Sequence, residues 1–155
     1  MGIGRLILIS HRGNIDKINR DYENNPDYIM NAIKKNFLVD IDLWNIKGNL
    51  YLGHDEPQWA TTTNFIDNPN FYIHCKNESA LEYLSSIKLF SKYFWHQSDE
   101  YTIVSNGIVW VHQGKKLLKN SICCLPEQGF DGNLEICFGI CSDYIDNYLP
   151  LLDPR

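Results

Sequence analysis

Residues 38–57 read Leu38-Val-Asp-Ile-Asp-Leu-Trp44, then Asn45-Ile-Lys-Gly-Asn-Leu-Tyr-Leu52, then Gly53-His-Asp-Glu-Pro57. Phe37, Val39, Ile41 and Leu43 alternate with Leu38, Asp40, Asp42 and Trp44, which is the period of a strand. Asp40 and Asp42 therefore point the same way, about 7 Å apart by twice the per-residue rise. Two carboxylates so placed repel unless a cation lies between them. A turn at Lys47-Gly48-Asn49 leads into a second short strand, which returns His54 towards the aspartates. A cation beside a titratable imidazole suits phosphoryl chemistry.

Upstream, the apolar run Arg5–Ser10 predicts a strand covered on both faces, ending in Ser10-His11-Arg12-Gly13-Asn14. Polar residues at the carboxyl end of a buried parallel strand are where α/β sheets place their sites. Residues 15–26 form a polar loop that carries Glu23, and Pro26 opens a helix with Asn25 as its cap. Downstream, Trp59–Pro69 reads as loop with a capping Thr run. Asn70–Lys76 is a strand that brings His74 and Lys76 to one face, and Glu78–Ile87 is a helix capped by Asn77. Further strands fall at 93–96, 107–112, 121–127 and 135–143, with little helix between them. The first half thus reads as βαβαβ. The whole predicts an α/β, (β/α) TIM-barrel-like fold, shortened or incomplete, with helices reduced in the second half. It forms a single domain over residues 1–155, since a full barrel takes roughly 250 residues.

Hydrophobic residues at 44% and charged residues at 21% describe a globular chain, and the net charge of -5 disfavours nucleic acid as a partner. The five cysteines include an adjacent pair and no Cys-x-x-Cys, as expected of reduced thiols in a cytoplasmic protein. The short apolar run after Arg5 predicts neither a signal peptide nor a membrane span.

These residues resemble the glycerophosphodiester phosphodiesterase family, among the phospholipase-C-like phosphodiesterase barrels. The matching residues are His11-Arg12-Gly13, Glu23-Asn24, Asp40-Ile-Asp42, Gly53-His54-Asp55 and Lys76, with a weaker echo at Gly139–Tyr144. The resemblance covers residues 5–77 and is thin afterwards. It implies a metal-dependent hydrolase of glycerophosphodiesters or a similar small phosphodiester. In that role His11 and His54 are the acid–base pair, Arg12 and Lys76 bind phosphate, and a divalent ion is held by Asp40, Asp42, Glu23 and His74. The ion implied is Mg or Ca. His74 stands where the family has an acid, and an imidazole favours Mn or Zn instead.

Simpler roles stand beside these. Asp40 and Asp42 also suit a solvent-facing edge strand, and His74 a hydrogen-bonded core. His96, His112 and Glu127 lie at later strand ends and could line the pocket, though a structural role is favoured, while Trp59 and Trp95 are core by default or a headgroup wall. A catalytically weak phosphate-headgroup or metal-binding module is the alternative function. An incomplete barrel leaves a bare sheet edge, which predicts a homodimer.

Overall fold

In the computed structural model, which describes residues 5–152, the apolar run after Arg5 becomes β1 (Ile7–His11). Met1–Gly4 of the first stretch and the ends of the expected domain, 1–4 and 153–155, lie outside the described residues. Asn25 caps α1 (Pro26–Lys34). Its side chain accepts from the N–H groups of Asp27 and Tyr28, donors that a first helical turn otherwise leaves free. The organising stretch is β2 (Leu38–Ile46), paired with β3 (Asn49–Leu52) across a turn in which Lys47 and Gly48 both have positive φ. Where the sequence suggested loop, β4 (Trp59–Thr61) and the four-residue α2 (Thr63–Ile66) appear, the latter capped by Thr62. β5 (Phe71–Cys75) and α3 (Glu78–Ser86) follow. Then come only short strands: β6 (Lys92–Phe94), β7 (Tyr101–Ile103), β8 (Val109–Val111), β9 (Ser121–Cys124) and β10 (Gly139–Ser142).

The expected (β/α) barrel with alternating helices is corrected by this arrangement. The chain forms one curled, mixed, ten-stranded sheet, a half-barrel with few and short helices. Parallel pairing runs β6-β5-β2-β1-β10-β9-β8, while β3, β4 and β7 add antiparallel pairs. The cause lies in the connections. Residues 112–120 and 125–138, which join β8 to β9 and β9 to β10, carry no α-helix to complete a βαβ unit. Among the described residues no helix is long and apolar enough to cross a membrane.

Alternation along the strands sends side chains to two apolar clusters. Val39, Ile41, Leu43 and Ile73 pack on the outer side with Ile29 and Ala32 of α1 and Ala80 and Leu84 of α3. Ile9, Tyr72, Phe94, Trp110, Ile122 and Cys141 form the inner cluster. The curl brings β6 and β8, the ends of the parallel path, within side-chain reach: Phe94 stacks on Trp110 with ring centroids 4.5 Å apart. Two residues beyond each inner-cluster side chain stands a polar or sulfur-bearing one: His11, His74, His96, His112, Cys124 and Asp143. The site is the next layer on the concave side.

Candidate active site

All five histidines of the chain line one cavity of about 150 Å³, together with Arg12, Asp40, Phe94, Trp110, Gln97 and Gln113. His11 ends β1 and is buried; its Nδ1 lies 2.7 Å from Asp143 Oδ1, which also accepts from Asn14 Nδ2 at 2.9 Å. Burial pushes the Asp143 carboxyl up, but the bonds and charges of His11, Asn14 and Arg12 outweigh it and hold the pKa below the ordinary carboxylate value. Asp143 is the carboxylate of the weak Gly139–Tyr144 echo. Glu127 steadies it by accepting from its backbone N–H at 3.1 Å and from Ser142 Oγ at 2.9 Å.

The turn after β1 aims Arg12. Its φ is +58°, a sparsely populated conformation for a residue with a side chain, and its N–H bonds the Asp40 carbonyl at 2.9 Å. Gly13 follows at φ +94°, where a Cβ would meet the Tyr28 ring at 2.6 Å. The Arg12 guanidinium consequently reaches Glu23 Oε2 at 3.0 Å, Asp42 Oδ2 at 3.2 Å and His54 Nε2 at 3.3 Å. Burial opposes the charge on Arg12, yet Asp42, Glu23 and Asp40 together raise its pKa above the usual value.

The two aspartates of β2 share a face and meet opposite fates. Burial pushes Asp42 up, but His54, His74 and Arg12 overcome it and hold its pKa well below the ordinary range. Asn24 clamps Asp42 from both sides, its Nδ2 donating to Oδ2 and its Oδ1 accepting from the Asp42 N–H, each at 2.9 Å. Asp40 is raised well above the ordinary value, by burial and then by the charge of Asp42. Its Oδ1 has no hydrogen-bond partner, and its Oδ2 lies 3.7 Å from His11 Nε2.

The remaining expected residues divide. His54 joins the site, with Nδ1 3.5 Å from Asp42 Oδ2. His74 sits with Nδ1 3.2 Å from Asp42 Oδ1 and Nε2 2.6 Å from the His96 carbonyl. Glu23 faces Arg12. Lys76 does not line the cavity, though its charge is among those that lower Asp40. Trp59 donates to the Glu23 carbonyl at 3.3 Å, and neither it nor Trp95 lines the cavity, where Trp110 stands instead.

Among the described residues no three His, Cys, Asp or Glu side chains are grouped to hold a metal ion. Asp42, Glu23 and His74 direct ligand atoms to Arg12, Asn24, the imidazoles and the His96 carbonyl, and Asp40 Oδ1 is a fully buried oxygen without a partner. As arranged, the four do not fit a divalent ion, and the Arg12 guanidinium stands between Asp42 and Glu23 as the cation. Of the two roles the sequence leaves to His96 and His112, the less favoured one holds: both line the cavity. Phe94-Trp95-His96 and Trp110-Val111-His112 repeat the spacing that puts a histidine one layer above an inner aromatic. Comparison with protein-family models, curated proteins and solved structures finds no match to the chain.

Proposed function

We propose that the chain hydrolyses small phosphodiesters, glycerophosphodiesters first among them, by proton transfer between two imidazoles. One observation carries this: His11, Arg12 and His54 meet at a single cavity, with His11 Nδ1 fixed by Asp143. A nitrogen that donates to a carboxylate leaves its partner nitrogen as the base, so His11 Nε2 presents its lone pair. It takes the proton of the attacking hydroxyl, either the substrate's own neighbouring one or water, as the new bond to phosphorus forms. Arg12 supplies N–H donors and fixed charge to the non-bridging oxygens. In the resting site one of those N–H groups goes to His54 Nε2. A bound phosphate oxygen competes for it, freeing that nitrogen to take a proton from solvent and pass it to the departing alcohol as the second bond breaks. Where the substrate's hydroxyl attacks, water opens the cyclic diester with the two imidazoles exchanging roles.

The test is release of glycerol phosphate from glycerophosphodiesters, run in EDTA and separately with Mg, Ca, Mn or Zn. Turnover is expected in EDTA, because Arg12 supplies the cation, and should fall at least about a hundredfold in folded His11→Ala. No turnover above that variant with any metal or none overturns the proposal. One observation favours a second reading, a phosphate-headgroup-binding module: His54 Nε2 accepts from Arg12 and so holds no proton to give. Calorimetric binding of glycerol phosphate without turnover selects it.

A further inference from the structure

The motif residues His11, Arg12 and Asp40 come from the middle of the parallel path, whereas His96 and His112 come from its two ends. The curl brings those ends together, with the two rings 5.3 Å apart between centroids. They face the phosphate-binding side across the cavity, flanked by Gln97 and Gln113. We infer that His96, His112 and Gln113 recognise the leaving alcohol, and that this alcohol is small, uncharged and rich in hydroxyls, a glycerol or similar polyol rather than an amino alcohol such as choline. This rests on the phosphodiester reading of the same cavity.

Two features of this wall select against a cation. The lining contributed from residue 94 onward contains no carboxylate. Its aromatic rings, Phe94 and Trp110, are stacked on each other and only 2% and 3% exposed, so no open ring face awaits a quaternary ammonium.

The same wall suits hydroxyls. His96 Nε2 lies 2.7 Å from the Asp99 carbonyl, which only accepts, so Nε2 carries the proton and Nδ1 is left as an acceptor. Gln113 offers both a donor and an acceptor, and a hydroxyl can answer either.

The experiment compares glycerophosphoglycerol with glycerophosphocholine, by kcat/KM and independently by calorimetric affinity, on wild type, His112→Ala/Gln113→Ala and the milder His112→Gln. Wild type should prefer the glycerol diester by about tenfold, the worth of one or two neutral hydrogen bonds. The double variant should bring that ratio close to one, with His112→Gln between, and melting curves establish that each variant is folded. Equal affinities and equal kcat/KM in wild type, or a ratio untouched by the folded variants, overturn the inference and leave hydrolysis standing. Absence of turnover with a retained tenfold binding preference supports the polyol wall and removes the hydrolase proposal alone.

Discussion

His11 and His96 occupy equivalent places, each two residues beyond an inner-cluster side chain, and the fold gives them opposite surroundings. His11 has a carboxylate on Nδ1 and another carboxyl beyond Nε2. His96 has a carbonyl on Nε2 and two other imidazoles nearby. One side of the cavity is a lattice of charges around Arg12, and the other is lined by imidazoles and amides with no carboxylate. A layer of histidines set by strand period is thus divided by what lies behind each ring, and on the proposed function that division is one between proton transfer and recognition.

The largest expected break in that comparison is in rate. His11→Ala should lower kcat about 10²–10⁴-fold, the range for a lost acid–base group, while His96→Ala should cost about tenfold and mainly in KM. Steady-state kinetics on both folded variants decide it. Equal losses in kcat would mean that the two sides are not different in kind.

Asp40 and Asp42 carry the comparison into stability, with opposite signs. The folded-state pKa of Asp42 lies below its ordinary value of 3.8, so its contribution is present above 3.8 and lost as pH falls through the folded value. Asp40 is raised, so the folded state holds a proton that the unfolded chain has released, and stability declines as pH rises above 3.8 towards the folded value. Asp42→Asn should therefore destabilise at pH 7, by about 3–5 kcal/mol, because it removes one partner of a buried charge cluster. Asp40→Asn should raise the melting temperature at pH 7 and lose that gain at pH 4. Thermal melts at the two pH values check both, and a fall in melting temperature for Asp40→Asn at neutral pH would contradict the assignment.

Asp143→Asn comes next. An amide oxygen still accepts from His11 Nδ1, but the charge that would stabilise the imidazolium is gone. The loss expected is about 1–3 kcal/mol in the barrier, or roughly 10–100-fold in kcat. Its pH–rate profile should lose the acid limb of the wild-type curve or displace it. A parallel drop at every pH would make Asp143 a merely structural residue.

Why one side was legible in the sequence and the other was not follows from strand length. β2 is nine residues long and alternates throughout, so Asp40 and Asp42 announce a shared face, and His11-Arg12-Gly13 sits after an unbroken apolar run. β6, β7 and β8 have three residues each, too few for a period to show, so β7 leaves no signal in the sequence and nothing there decides between pocket and structural roles for His96 and His112. The βαβαβ beginning implies the helices of a barrel, whereas the later connections lack a helical period. The placing of Arg12 was hidden for another reason. The aspartate spacing says that positive charge is needed, but only the left-handed turn at Arg12 delivers a guanidinium to it, and one residue's backbone conformation is not written in a pattern.

The smallest effect tests how far the charged side is braced from outside. Tyr28 on α1 donates its hydroxyl to Asn14 Oδ1 at 2.9 Å, Asn14 donates to Asp143, and Asp143 accepts from His11. Tyr28→Phe removes the outermost link without emptying space. Asn14 Oδ1 keeps a bond from the Asn19 N–H at 3.1 Å, so no buried acceptor is orphaned. The cost should sit at the low end for a neutral hydrogen bond, about 0.5 kcal/mol, and kcat should fall by no more than about threefold. His96, which receives nothing from α1, should keep its contribution to KM. A tenfold loss in kcat from this one hydroxyl would mean that the orientation of His11 is set by the whole Tyr28–Asn14–Asp143 chain, and the two sides would then differ in rigidity as well as in charge.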